Sequence, residues 1–147
     1  DIRQIDVLLP ILRGRMNLCA AKGFDAVQLD NLDGFQASSG FDISAADQLR
    51  YNVTLANEAH SHGLAVALTN DPAQAADLAP YFDWVVAEEC VAQAFCGQLQ
   101  PFTGAGKPAL DIEYRGQTSD ICPGARSMGV TAVRKNQSLD AFVARCP

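Results

Sequence analysis

The chain has 147 residues, of which 48% are hydrophobic and 19% are charged, which is the composition of a globular domain and excludes a disordered segment. Its formal charge of −6 disfavours a nucleic acid as partner and is compatible with a cationic ligand. Pro10, Asp71 and Glu88 interrupt the apolar runs well before the ~20 residues of a membrane-spanning helix, so we expect no membrane partner.

Helices and strands alternate along the predicted chain. Gly23 follows the first helix at the position of a left-handed cap, and Ser44 with Asp47 has the spacing of a capping box that opens the second. Helices are predicted at 8–22, 44–63, 91–103 and 118–127, with a short one after Asn70-Asp71-Pro72 and a last one capped by Ser138. Strands are predicted at 25–30, 64–69, 83–87, 108–112 and 130–133.

This alternation predicts parallel strands joined by right-handed crossovers, for which two α/β architectures are open. A doubly wound sheet would gather its ligand at one switch point, whereas polar or ionisable residues follow all five strands here, as in a (β/α)8 TIM barrel. No glycine-rich phosphate loop follows any strand, so we favour the barrel and expect no nucleotide cofactor.

A complete barrel has eight βα units in roughly 250 residues. This chain supplies about five of them, so about three units are missing from it. We therefore expect residues 1–147 to form a single barrel domain that lacks its N-terminal units. The missing units would precede Asp1 or come from another chain, through self-association. Five strands alone would expose two open edges, and we expect them to be unstable in isolation.

Five cysteines allow two interpretations. Cys90 and Cys96 flank a short loop, and Cys122 and Cys146 bracket the last strand and helix, so we prefer two disulfides with Cys19 left over. This pairing predicts a secreted, extracellular protein. The alternative is five reduced and mostly buried thiols. Because no spacing is CxxC, we expect no metal site.

The polar residues that follow the strands are the candidate functional groups. The stretch 23–35 is the clearest case, because the apolar strand residues stop abruptly at Asp30, Asn31 and Asp33. A carboxylate placed there is partly desolvated, which is costly unless the group is paired or used. The later strands are followed by Asn70-Asp71, Glu88-Glu89, Glu113-Tyr114 and Arg134-Lys135-Asn136.

Several of these motifs together resemble glycoside hydrolase family 114, the endo-α-1,4-polygalactosaminidases. The resemblance covers nearly the whole chain and includes Ala20-Ala21-Lys22-Gly23-Phe24-Asp25, Asp30-Asn31-Leu32-Asp33-Gly34-Phe35, Ala46-Asp47-Gln48-Leu49, Tyr51-Asn52, Glu58-Ala59-His60, Gly63-Leu64, Leu68-Thr69-Asn70-Asp71, Pro80-Tyr81-Phe82-Asp83, Ala87-Glu88-Glu89-Cys90, Gly106-Lys107, Ile112-Glu113-Tyr114 and Cys122-Pro123. It implies a barrel whose opening strands lie upstream, and an endo-acting glycosidase of α-1,4-linked polygalactosamine or a related cationic polymer.

By the same resemblance, Asp30 and Glu88 are the two carboxyl groups that cleavage of a glycosidic bond requires. One strand lies between the strand that ends at Asp30 and the strand that ends at Glu88, which predicts a backbone separation of about 10 Å between the two residues. We assign Asp30 as nucleophile or electrostatic stabiliser. Glu88 is assigned as acid/base, because a longer side chain beside Glu89 more readily keeps a proton.

The remaining strand-end residues are predicted to bind substrate, since an acidic rim suits the ammonium groups of polygalactosamine. Lys135 is the cationic member and could pair with Asp30 or Glu113. Asp71 could instead be only a helix cap, Asn31 a turn residue and Tyr114 a core ring. The predicted substrate-binding residues are Asn31, Asp33, Asn70, Asp71, Glu89, Glu113, Tyr114 and Lys135.

Two alternatives to this activity stay open. The first is a non-catalytic carbohydrate-binding relative, because Ala87 and Glu89 depart from the pattern of the family beside Glu88. The second is a barrel hydrolase of a neutral sugar, whose activity would not respond to salt.

Overall fold

The computed structural model describes residues 1–147, which divide into two compact units, Asp1–Asp83 and Trp84–Pro147. Each unit alternates strands with helices, as the sequence pattern predicts. No helix in the chain has both the length and the apolar character needed to cross a membrane.

The first unit contains helices α1 and α2, a short helix α3, and strands β1 and β2. The two strands are parallel, with Ala26 in register with Ala65 and Leu29 with Leu68. Their carboxyl ends therefore lie side by side at one edge of the pair. The bounds are α1 Ile5–Ala21, β1 Ala26–Leu29, α2 Ala45–Ser61, β2 Ala65–Thr69 and α3 Ala75–Leu78.

Helix α2 begins where its sequence predicts. The Ser44 hydroxyl accepts a hydrogen bond from the Asp47 N–H, and the Asp47 carboxylate accepts one from the Ser44 N–H, which completes the capping box. The face of α2 that carries Leu55, Ala56 and Ala59 is buried. Burial of apolar side chains of this kind stabilises a fold by about 1.5–3 kcal/mol for each large one, so this face anchors α2.

The second unit contains β3 to β6 with helices α4 and α5. Strands β3, β4 and β5 are parallel neighbours in that order, with Glu88 in register with Ile112 and Glu113 with Arg134. The bounds are β3 Trp84–Glu88, α4 Gln100–Gly104, β4 Ala109–Glu113, α5 Thr118–Ser127, β5 Thr131–Lys135 and β6 Val143–Arg145.

Both predicted disulfides are confirmed. Cys90 is bonded to Cys96 and Cys122 to Cys146, while Cys19 is free. The first bridge closes the segment directly after β3, and the second ties the end of the chain to α5.

The helix predicted at 91–103 is wrong in its first half. Residues Cys96–Leu99 form a 3₁₀ turn and only Gln100–Gly104 are α-helical. The N–H groups of Cys90, Val91 and Ala92 are bound by carboxylates of β4, so the backbone there is fixed in another conformation.

The helix predicted after Ser138 is also wrong. Strand β6 stands in its place and pairs antiparallel with β5, Arg145 opposite Val133. The carboxylate of Asp140 gathers donors from Asn136, Ser138 and the Phe142 backbone, which makes a turn rather than a helix start.

Candidate active site

In the first unit, Asp30 leaves the end of β1 with its side chain exposed. One carboxylate oxygen, Oδ1, accepts the N–H of the next residue, Asn31, at 2.8 Å. Strand β2 lies alongside, and the Gln28 side chain donates to Thr69 Oγ1 at 3.0 Å just before both strands end. The loop that carries Asp30 and the loop that begins at Asn70 therefore leave the sheet together.

A groove of about 370 Å³ lies against this strand end. Its apolar and aromatic lining includes Leu12, Met16 and Tyr51. Its polar lining residues are Arg15, Gln28, Asp30 and Asn31. The exposed carboxylate thus adjoins a concave surface of the first unit.

The backbone is strained at the strand ends. Asn31, Asn70, Asp71 and Glu89 all have positive φ, between 50° and 57°. Asparagine and aspartate tolerate this region better than other L residues, and glutamate has no such advantage. Because strained residues concentrate at binding and catalytic sites, their position directly after β1, β2 and β3 supports these ends as functional.

Asp71 and two carboxamides of α2 form a buried polar network. The Asn52 amide donates to Asp71 Oδ2 at 3.2 Å and to the backbone carbonyl of Leu32 at 2.8 Å, and Gln48 donates to Asn52 Oδ1 at 2.8 Å. The side chains of Gln48, Asn52 and Asp71 are almost completely buried. The network fixes the loop after β1 to the loop after β2.

This network perturbs Asp71 strongly. Burial, and secondarily the charge of Asp33, raises the pKa of Asp71 to about 7. Its Oδ1 atom is buried without a hydrogen-bond partner, as is Oε1 of Gln48. Because Asp71 is inaccessible and bonded to α2, contact with a sugar is not supported by its position, and the substrate-binding role stays a prediction.

Asn52 is the asparagine of an Asn52-Val53-Thr54 sequence, the pattern of an N-glycosylation acceptor. Its side-chain nitrogen is buried and donates both of its hydrogens within the network. A glycan on this nitrogen is therefore incompatible with the folded first unit.

In the second unit, Glu88 is the last residue of β3 and its side chain is half-buried. The Tyr114 hydroxyl donates a short hydrogen bond to Glu88 Oε1. Tyr114 follows β4, the neighbour of β3. Its hydroxyl therefore orients the Glu88 carboxyl group, which the sequence analysis assigned to catalysis.

Two cationic residues of this unit have partners within it. Arg115 approaches Glu89, with 3.7 Å between Nε and Oε1, and its side chain is largely exposed. Lys135 Nζ donates to the backbone carbonyl of Asp140 at 2.6 Å. The predicted pair of Lys135 with Glu113 is thus not formed.

Glu113 is buried rather than presented to solvent, with 1% of its surface exposed. Its Oε1 accepts the backbone N–H groups of Val91 at 2.8 Å and of Ala92 at 3.2 Å. Its predicted contact with substrate remains untested, and its observed contacts are with the segment after β3.

Asp111 lies two residues earlier on the same face of β4 and is buried to the same degree. Its Oδ1 accepts the Cys90 N–H at 3.0 Å, while Oδ2 is buried without a donor. Burial raises the pKa of Asp111, and the neighbouring Glu113 and Glu89 carboxylates raise it further, against the opposing effect of the Cys90 N–H.

The structure therefore gathers the predicted residues in two groups. Asp30, Asn31, Asp33, Asn70 and Asp71 follow the paired strands of the first unit, and Glu88, Glu89, Glu113 and Tyr114 follow β3 and β4 of the second. Lys135 ends β5. The assignment of Asp30 and Glu88 as a catalytic pair stays a prediction.

Sequence reasoning missed Gln48, Asn52 and Asp111. A signal existed for each of them: Gln48 and Asn52 are four apart on the buried face of α2, and Asp111 interrupts an apolar strand. A polar residue on a face that must be buried indicates a hydrogen-bonded network.

The chain is similar to a solved structure of Ega3 from Aspergillus fumigatus in complex with galactosamine. The two are 29% identical with a TM-score of 0.86, over 93% of this chain and 60% of that one. The glycoside hydrolase domain of PelA from Pseudomonas aeruginosa is 18% identical with a TM-score of 0.64, over 90% of this chain and 63% of that one. No protein with a curated description matches.

This chain thus spans about three fifths of each of those structures. The prediction that it is an α/β chain of the (β/α) barrel class, supplying part of a barrel, is confirmed. The model of glycoside-hydrolase family GH114 matches residues 1–147, the whole chain described here. The chain belongs to glycoside-hydrolase family GH114.

Proposed function

We propose that this chain is part of an endo-acting glycoside hydrolase that cleaves α-1,4 linkages within polygalactosamine or a related cationic amino-sugar polymer. The observation that carries the proposal is membership of family GH114 along the whole chain, with two accessible acids at strand ends. The solved structure of Ega3, to which the chain is similar, holds galactosamine.

Hydrolysis of a glycosidic bond needs one carboxyl group to protonate the leaving oxygen and a second to stabilise or attack the anomeric carbon. Glu88 suits the first role, because the Tyr114 hydroxyl fixes one of its oxygens while the side chain stays only half-buried. Asp30 suits the second, because it is exposed and its Oδ1 is oriented by the Asn31 N–H. No metal or cofactor enters this mechanism.

Charge favours a cationic substrate. The chain carries a formal charge of −6, and Asp30, Asp33 and Glu89 place carboxylates at strand ends. Amino sugars with free ammonium groups are attracted to such a surface, and salt weakens this attraction between exposed charges. We therefore expect the KM for the polymer to rise with ionic strength, whereas a hydrolase of neutral sugars would be insensitive.

We propose that the protein is secreted, which its two disulfides support because disulfides form and persist in oxidising compartments. We further propose that the chain is one barrel domain completed by residues that precede it or by a second copy.

The proposal is tested with Asp30→Asn and Glu88→Gln in the full-length protein, including any residues that flank this chain. Each substitution keeps the shape of the side chain and removes its acid–base function, so we expect release of reducing ends from polygalactosamine to fall by about 10²–10⁴-fold. Circular dichroism and thermal unfolding should match the unsubstituted protein.

Asp25→Asn is the matched control, since Asp25 is an exposed acid immediately before β1, at the end opposite to Asp30. Its activity should be unchanged. Full activity in either Asp30→Asn or Glu88→Gln would remove that residue from the mechanism. Polymer binding by an unsubstituted protein that forms no product would instead favour the non-catalytic relative.

A further inference from the structure

We propose that Asp111 and Glu113 share one proton and act together as positioning residues that hold the segment after β3, and with it Glu88, in place. The inference rests on the proposed function of Glu88 for its catalytic consequence. The bonding arrangement that it describes belongs to the second unit alone.

The two side chains bind three consecutive backbone donors. Asp111 Oδ1 accepts from Cys90 N–H, and Glu113 Oε1 accepts from Val91 N–H and Ala92 N–H, at distances of 2.8–3.2 Å. These donors begin two residues after Glu88. A carboxylate that accepts backbone N–H groups bonds more strongly than a neutral acceptor, so the pair is a strong anchor for this segment.

A proton shared by Asp111 and Glu113 explains why one buried oxygen of the pair has no other donor. Asp111 Oδ2 is buried without a hydrogen-bond donor. The neighbouring Glu113 carboxyl group offers only acceptors when it is ionised. Both residues are 1% exposed. Two buried carboxylates cannot both remain ionised without a large cost, whereas one proton gives a charge-assisted O–H···O bond.

The arginines and the lysine around the pair have other partners. Arg134 is in register with Glu113 on β5 but donates to Asn136 and stacks on the Phe142 ring. Lys135 donates to a backbone carbonyl. The other charged groups around the pair are Glu89 after β3, whose charge favours the protonated form, and Arg115 and Asp120, which line a small cavity with Glu113.

The segment is held at both of its ends. Glu89 turns the chain with φ 57° and donates its N–H to the Ile112 carbonyl, and the disulfide joins Cys90 to Cys96. Between these constraints the acid pair fixes the N–H groups. Loss of the shared proton at alkaline pH would force the two carboxylates apart, loosen the segment and misplace Glu88.

The test is Asp111→Asn in the full-length protein, because an asparagine amide keeps an acceptor for Cys90 N–H and supplies a permanent donor to Glu113. We expect kcat of the unsubstituted protein to fall about tenfold between pH 6 and pH 9, as one buried acid titrates. In Asp111→Asn the part of this fall that comes from the acid pair should be absent, so the ratio of kcat at pH 6 to kcat at pH 9 should decrease, with kcat at pH 6 within about twofold of the unsubstituted protein. An unchanged alkaline fall would overturn the proposal.

Asp120→Asn is the control, since it removes an exposed acid of α5 from the same neighbourhood. Its pH profile should be that of the unsubstituted protein. A role for Asp111 in stability alone would lower the unfolding temperature of Asp111→Asn and leave the profile of kcat against pH unmoved.

Hydrogen exchange tests the shared proton without any assay of activity. Protection factors for the Val91 and Ala92 amides, corrected for intrinsic exchange, should fall between pH 6 and pH 9 in the unsubstituted protein and stay constant in Asp111→Asn. Constant protection in the unsubstituted protein would overturn the proposal. A protein with no hydrolase activity at any pH would remove the proposed function, and exchange would still decide this inference.

Discussion

The two units secure their strand-end loops with different chemistry. In the first, the Asn52 amide donates to Asp71 and to the Leu32 carbonyl, and Gln48 donates to Asn52. In the second, two carboxyl groups of β4 bind the segment after β3, which a disulfide also closes. Both arrangements bury polar side chains.

The difference teaches how the number of acids in an anchor sets its response to pH. A carboxamide brings its own donors and acceptors and does not titrate, so in the network of the first unit Asp71 is the member whose protonation changes with pH. A pair of acids bonds internally only while it keeps a proton. The structure thus places a proton-dependent anchor beside Glu88 and a largely amide-based anchor beside Asp30.

The two units also differ in their disulfide bonds. Both disulfides lie in the second unit, and the one cysteine of the first unit, Cys19, is free. Helix α1 of the first unit also exposes Val7, Ile11 and Leu18. The first unit therefore depends on packing and on its buried network for its stability.

Removal of the disulfides should have the largest effect on stability, and only in the second unit. Cys122–Cys146 spans 24 residues and Cys90–Cys96 spans 6, so the chain-entropy model gives a loss of ~3.5 kcal/mol for the first and ~2.4 kcal/mol for the second. Paired Cys→Ser variants of the full-length protein, unfolded in urea, measure both values.

Cys19→Ser is the control for the loss of a sulfur atom. Hydrogen exchange should show loosening in Trp84–Pro147 and little change in Asp1–Asp83. A larger loss from the short bridge than from the long one would mean that Cys90–Cys96 chiefly fixes the folded segment.

Asn52→Ala should have the next largest effect on stability, and it acts in the first unit. It removes both hydrogen bonds of the amide and leaves Asp71 Oδ2 and the Leu32 carbonyl buried without that donor, which costs about 2–3 kcal/mol. Asn57→Ala on the exposed face of the same helix is the matched control and should cost little, since alanine favours a helix. Equal losses in the two variants would contradict the network as the anchor of this unit.

Asp71→Asn should have a smaller effect than these variants. It should change how the stability of the first unit depends on pH. The folded pKa of about 7 exceeds the unfolded value of 3.8, so the stability contributed by the protonated acid is complete below about pH 4 and is lost as pH rises through 7. Urea unfolding from pH 4 to pH 8 should therefore show a decline in the free energy of unfolding that Asp71→Asn removes.

Asparagine tolerates the positive φ at this position, which keeps the substitution conservative. The control is Asp77→Asn, which removes an exposed acid of α3. A decline that persists in Asp71→Asn would assign this pH dependence to another group.

Local sequence patterns predicted the elements that depend on local physics. The alternation of apolar strands and amphipathic helices placed all five parallel strands within two residues of their observed bounds, and the Ser44–Asp47 spacing placed the start of α2. Predictions failed at 91–95 and after Ser138, where tertiary hydrogen bonds, strand pairing with β5 and a disulfide outweigh helical propensity.

By itself the sequence indicated the barrel class, the family and the acids at the strand ends, and it favoured the disulfide pairing over five free thiols, because each rests on spacing or on motifs. Only the tertiary structure decided which polar side chains turn inward. Asp71, Asp111 and Glu113 meet partners 19 to 22 residues away, and such distant pairing leaves no local periodicity in the chain. Burial then raised the pKa of Asp71 and of Asp111, since a carboxyl group titrates according to the water and charges around it.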